Sequence, residues 1–215
     1  MTIHEGLGGL RGGTPLQSAR AAVILIHGRG ATADDILGLG EQVSRGVEGV
    51  SLLAPQAEGN TWYPARFLAP IEDNEPYLSS ALSVLSGLVR EIEAAKIPAS
   101  KVILAGFSQG ACLALEYAAR NPRRYGGIVG LSGALIGPPG TPRNLMGNLA
   151  GTPVYLGCSD RDAHIPLGSV EESAAVFQSL KASVTKSIFP GMGHTVNAEE
   201  LSAFQAIVNS VAGHA

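Results

Sequence analysis

Residues 106–110 read Gly106-Phe107-Ser108-Gln109-Gly110, a G-x-S-x-G pattern. Such a pattern can set a serine on a turn too sharp for side chains at its flanks, with the hydroxyl lifted clear of a sheet at a helix N-terminus. Free N–H groups and the helix dipole there favour an anion developing beside it. In a chain with 28 Gly the match also arises by chance, or as an ordinary turn whose serine caps a helix. Its setting argues against that. The apolar run Lys101–Ala105 leads into it, and a helix-forming segment that stops before Asn121-Pro122 leads out. The chemistry such a turn supports is acyl transfer to the serine, and a serine hydroxyl needs a base to become a nucleophile.

Of the five histidines, His194 stands best for that base. It lies in Pro190-Gly191-Met192-Gly193-His194-Thr195, between the last apolar run and the last helical segment, where a loop reaches the same sheet edge as the serine turn. His214 is next to the C-terminus and His4 lies in a segment broken by glycines. A base needs an acid to orient it and to stabilise its cation. Asp160-Arg161-Asp162 follows the run Pro153–Gly157 and falls between Ser108 and His194. The order Ser…Asp…His is that of the α/β-hydrolases and of neither other common serine hydrolase fold. Spacing leaves both aspartates open, the other being a carboxylate that fixes the loop.

A tetrahedral intermediate also needs two donors aimed at its oxygen. One is the backbone N–H of Gln109, the residue after the nucleophile. The second comes from the first strand–helix loop, His27-Gly28-Arg29-Gly30, whose glycines let the backbone approach a substrate. His27 is expected to brace that loop. The Arg29 side chain reads either as a solvated cation or as a hook for an anionic head group.

These residues need a scaffold, and the apolar pattern supplies one. Short runs rich in Val, Ile and Leu occur at Ala22–Ile26, Val50–Leu53, Lys101–Ala105, Gly127–Leu131, Pro153–Leu156 and Thr185–Phe189. Without alternation they predict strands buried on both faces, as in a parallel sheet. Between them lie helical stripes: Leu78, Leu82, Leu85, Val89 and Ile92; then Leu113 and Tyr117; then Val170, Ala174, Phe177 and Leu180; then Leu201, Phe204, Val208 and Val211. Strand and helix alternate from residue 22 onward, which predicts an α/β fold with a mostly parallel central sheet and helices on both faces. Met1–Ala19 is weaker and is expected to add an antiparallel hairpin at the sheet edge. Residues 56–76 form a long irregular stretch carrying Trp62, Tyr63 and Phe67, and loops of that length are often functional.

Composition narrows the function classes. A length of 215 residues predicts one domain spanning 1–215, and 45% hydrophobic against 15% charged residues excludes disorder as the main state. A net charge of -3 offers no field for nucleic acid. The two cysteines make no disulfide framework, no metal-ligand spacing is visible, and the mechanism needs no cofactor. Cys112 and Cys158 are expected to be buried, and a cysteine nucleophile is disfavoured because serine occupies the turn. No apolar run is long enough for a membrane span and no signal peptide is visible, so the expectation is a cytoplasmic protein. An apolar strand edge or helix face could support a homodimer.

Five segments in order, HGRGATADD, APQAEGNTWYP, GFSQGA, SDRDAHIP and GMGHT, resemble the phospholipase/carboxylesterase family of small α/β-hydrolases, a group with bacterial carboxylesterases and acyl-protein thioesterases. The resemblance extends from about residue 20 to near the end of the chain. It implies a nucleophile at Ser108, an acid at Asp162, a base at His194, and oxyanion donors on the backbone of Arg29 and Gln109. Trp62 matches an aromatic flanking the family's acyl site, and together with Tyr63 it implies contact with a short or medium acyl chain. Cys158-Ser159 stands where the family often has His-Gly, and Ala163 where proline is usual. No long apolar acyl-binding loop is recognisable in 65–76. The expected function is a serine carboxylesterase acting on a small-molecule ester. A lysophospholipase or acyl thioesterase with the same residues, and an idle ligand-binding relative, are the alternatives.

Overall fold

In the computed structural model, which describes residues 3–4 and 8–213, five of the six apolar runs become strands that feed two cores at once. His214 lies outside the described residues. In β2 (Ala21–Ile26), Val23 and Leu25 pack on one face while Ala22, Ile24 and Ile26 pack on the other. The same double burial holds for β3 (Val50–Pro55), β4 (Val102–Phe107), β5 (Gly127–Leu131) and β6 (Pro153–Ser159). With β1 (Gly9–Gly13) and β7 (Ser183–Phe189) they form a sheet ordered β1-β3-β2-β4-β5-β6-β7. Every pairing is parallel except β1 with β3. The expected α/β architecture is therefore present.

Two helices, α1 (Ala33–Val43) and α5 (Ala198–Ala212), cover one face of the sheet. The other face carries α2 (Tyr77–Ala94), α3 (Gln109–Arg120) and α4 (Leu167–Ser179). The stripe Leu78, Leu85, Val89 and Ile92 is the buried side of α2, as its spacing predicts. From β2 the chain crosses through α1 to β3, and from β4 it crosses through α3 to β5 on the opposite side. Right-handed crossovers running in opposite directions put their helices on opposite faces. They leave a crevice outside the carboxyl ends of the adjacent strands β2 and β4, the usual ligand position in an open α/β sheet.

Two expectations change. β7 is predicted buried on both faces, yet none of its residues is buried, because it is the last strand of the sheet and only β6 pairs with it. Among the described residues of Met1–Ala19 there is one edge strand and no second one to make a hairpin: Gly9 pairs with Pro55 and Gly13 with Ser51. Among the described residues no helix is long and apolar enough to cross a membrane.

Candidate active site

Ser108 follows β4 and caps α3 with φ 55° and ψ −119°, a positive-φ conformation unusual for a residue with a side chain. Packing enforces it. A Cβ on Gly106 would run into the Gly110 carbonyl, and one on Gly110 would run into the carbonyl of Ile26 in β2. The first turn of α3 thus lies against the sheet with no room for a methyl group. Gly110→Ala is expected to cost about 3 kcal/mol of stability, read as a shift in the urea midpoint.

The serine hydroxyl meets two side chains far away in sequence. Ser108 Oγ lies 2.8 Å from His194 Nε2, and His194 Nδ1 lies 2.7 Å from Asp162 Oδ2. An ionised carboxylate can only accept, so the proton sits on Nδ1, and Nε2 is left to accept from the hydroxyl. Asp162 has a fully buried side chain, and its Oδ1 accepts from the backbone N–H groups of His164 and Ile165 at 2.8 and 3.0 Å. Burial alone would raise its carboxyl. The bonds from His194, His164 and Ile165 outweigh that and hold it below the ordinary carboxylate value. The Cys158 thiol, 3.8 Å from Asp162 Oδ2, is pushed up to about 12 by burial and by the Asp162 charge, so it stays a neutral S–H.

Asp160 has a different partner: its Oδ1 accepts from Gly191 N–H at 2.7 Å, and Ser159 Oγ accepts from Gly193 N–H at 3.1 Å. Together they tie the His194 loop to the Asp162 loop. On its far side the His194 loop runs into α5, whose start is fixed by a capping box between Asn197 and Glu200.

The loop after β2 passes beside the serine, since a Cβ on Gly28 would lie 3.4 Å from Ser108 Cβ. His27 braces it. Its Nδ1–H donates to Gly28 O at 2.8 Å while Nε2 accepts from Ala57 N–H at 3.1 Å, and burial keeps the ring neutral by lowering its basicity. The N–H of Gln109 begins α3 and is one of those a helix leaves without an intrahelical acceptor. A cavity of about 360 Å³ opens over Ser108 and His194, walled by Tyr63, Phe67, Phe107 and Ile165. A hydroxyl, an imidazole and a carboxylate in this relay, beside two loop backbones and an apolar cavity, can carry acyl transfer.

The family model for phospholipase/carboxylesterase matches residues 13–212. The chain belongs to the phospholipase/carboxylesterase family. Acyl-protein thioesterase 1 of Saccharomyces cerevisiae is 26% identical over 223 residues, covering 94% of this chain and 97% of the relative. Among solved structures, a phospholipase/carboxylesterase from Dyadobacter fermentans is 41% identical with a TM-score of 0.87, covering 94% of both chains. Esterase PE8 is 24% identical with a TM-score of 0.80, covering 95% of this chain and 98% of its own, a likeness of fold.

Within this phospholipase/carboxylesterase scaffold, Ser108, Asp162 and His194 come together, and Arg29, Gln109 and Tyr63 line the same cavity. Trp62 departs from the expectation of substrate contact. Its side chain is fully buried behind the wall, because the indole N–H finds its acceptor in His27 O at 3.0 Å. The Arg29 guanidinium donates to the carbonyls of Tyr63, Pro64 and Ala65 at 2.9, 3.0 and 2.7 Å, so it pins the loop after Trp62. Three side chains have a part at the site that the sequence does not announce. The Gln109 side chain accepts from Trp62 N–H at 2.9 Å and donates to Tyr63 O at 2.8 Å, clamping that loop onto α3. His164 sets its ring edge-on to His194, centroids 4.7 Å apart. Cys112 borders the cavity floor, with burial pushing its thiol up to about 12, so it presents a neutral S–H there. Residue type offers a cue only for His164, which adjoins the acid loop in sequence.

Proposed function

We propose that this protein is a serine carboxylesterase that hydrolyses short- to medium-chain carboxylic esters through an acyl-enzyme intermediate. His194 Nε2 takes the proton of Ser108 Oγ as the oxygen attacks the ester carbonyl. The backbone N–H groups of Arg29 and Gln109 hold the oxyanion. Asp162 keeps the His194 tautomer and stabilises its cation, His194 then protonates the departing alcohol, and water releases the acid by the same steps. The observation that carries this reading is the unbroken relay of 2.8 and 2.7 Å bonds from Ser108 through His194 to a buried, hydrogen-bonded carboxylate. A cavity of about 360 Å³ is near the small end of ligand sites, which favours a compact acyl group over a palmitoyl chain.

The names of the curated relatives, acyl-protein thioesterases, favour a second reading in which the same residues cleave a thioester. Hydrolysis of p-nitrophenyl esters from acetate to palmitate, beside butyryl and palmitoyl thioesters, separates the two. A maximum at butyrate or hexanoate esters is expected. Preference for palmitoyl thioesters would move the function to acyl-protein or lipid deacylation, and no hydrolysis of either class would overturn both.

A further inference from the structure

Four basic side chains border the cavity over Ser108, namely Arg29, Arg66, His164 and His194, and none of the bordering residues is acidic. That is a one-sided arrangement in a chain whose formal net charge is -3. Among the described residues neither arginine has a carboxylate within ion-pair distance. The two differ in what they leave unused. Arg29 spends its fork on three loop carbonyls, so it contributes charge but few open donors. Arg66 makes one long bond, from Nη2 to His164 O at 3.5 Å, which carries its guanidinium from the Phe67 side of the cavity to the acid-loop side.

The backbone of Arg66 is held in place. Asn74, fully buried, accepts from Ala65 N–H at 2.8 Å and donates to Arg66 O at 3.3 Å. A guanidinium has five donors in a planar fork matched to carboxylate and phosphate oxygens. Set on an anchored backbone at the mouth of an apolar cavity, with a second uncompensated cation nearby, it attracts and orients an anion.

We propose that Arg66 is a specificity-determining residue that binds an anionic group of the substrate, so that the preferred esters carry a carboxylate or phosphate within reach of the scissile carbonyl. The proposal rests on the esterase reading above and names the substrate class for it. It gives His164 a supporting part: its carbonyl steadies the Arg66 side chain, and its ring adds a donor on the same side.

The test is a set of matched esters. On the acyl side, mono-p-nitrophenyl adipate is compared with p-nitrophenyl heptanoate. On the alcohol side, 4-carboxyphenyl butyrate and 4-(phosphonomethyl)phenyl butyrate are compared with 4-carbamoylphenyl butyrate. In at least one comparison kcat/KM is expected to favour the anion about tenfold at low ionic strength, and the preference to shrink in about 0.5 M NaCl. Arg66→Gln brings the ratio towards one and Arg66→Glu reverses it. Each ratio is taken on one protein preparation, so partial misfolding of a variant cancels. Whether the adipate, the benzoate or the phosphonate responds identifies where the anion sits and which kind it is. Ratios near one throughout, or unchanged by Arg66→Glu, overturn the proposal. Ser108-dependent hydrolysis of neutral esters without anion preference overturns this inference alone; no Ser108-dependent hydrolysis of any ester overturns the esterase reading and this inference with it.

Discussion

Ser108→Ala is expected to lower kcat on p-nitrophenyl butyrate by about 10⁴-fold or more while leaving the melting temperature nearly unchanged. In the proposed mechanism the large kinetic effect follows from removing the atom that forms the acyl-enzyme. What remains is the oxyanion donors and binding, which by themselves sustain a weak acceleration over water. The small thermal effect follows from the backbone. Alanine meets the same positive φ as serine, so the strain at φ 55° is common to both proteins. The one bond lost is that to His194 Nε2, a partly exposed group that water can satisfy, for about 1 kcal/mol. Steady-state kinetics and reaction with a fluorophosphonate check this together. The native chain should gain one adduct on Ser108 and the variant none. A variant keeping a tenth of the native kcat would refute the assignment, and a native chain that ignores the probe would favour an idle ligand-binding protein.

The second large effect is expected at Asp162→Asn, about 10⁴-fold in kcat near neutral pH. The replacement is nearly isosteric, and the amide oxygen it introduces can still accept from the backbone of His164 and Ile165, so the acid loop keeps its shape. What disappears is the charge beside His194 Nδ1 and the certainty that the proton sits there. An amide turned to donate would force the proton onto Nε2 and leave no lone pair for the Ser108 hydroxyl. Loss of less than tenfold would mean that Asp162 is not the orienting group. The same substitution has a stability signature with a definite sign. Asp162 titrates below its ordinary value of 3.8 in the folded protein, so its ionised form stabilises the fold. That contribution is fully present above 3.8 and is lost as pH falls through the lowered native value. The native chain should therefore lose its margin over Asp162→Asn on acidification, which thermal melts from pH 6 to about pH 2.5 measure.

Much of this architecture is legible in local patterns because burial on a strand or helix is periodic. The run Ala21–Ile26 can feed two cores only if both its faces are covered, and that demands a sheet between layers of helices. The stripe on α2 needs no knowledge of what it packs against. Gly106 and Gly110 flank Ser108 for a reason equally local in origin, the sharpness of a turn between a strand and a helix. Chain order then sets the serine, acid and histidine loops at one edge of a parallel sheet, since every strand in such a sheet ends on the same side.

Local pattern fails where the outcome depends on what lies next door. β7 is expected to be an interior strand, yet it carries Ser183, Thr185, Lys186 and Ser187, and none of its residues is buried at the sheet edge, where only β6 pairs with it. Trp62 looks like a substrate contact in a long irregular loop, but its indole N–H is satisfied by His27 O, and it becomes a wedge behind the cavity. Arg29 carries the charge of a solvated or anion-binding residue, and loop carbonyls about 35 positions away absorb its donors. Asp160 and Asp162 share one loop and one chemistry. Spacing leaves the two open and the family resemblance points to Asp162; the folded chain sends Asp160 to the backbone of Gly191 and Asp162 to His194.

The α/β layering, the serine turn and the order of the loops depend on periodicity, backbone sterics and strand direction, all of them written locally along the chain. Long-range packing chose which aspartate reaches the histidine and where the aromatic residues face. It also left Arg66 at the cavity mouth without a carboxylate partner among the described residues. The 2.8 and 2.7 Å contacts join residues 86 and 32 positions apart, and such distances are set by how whole layers pack.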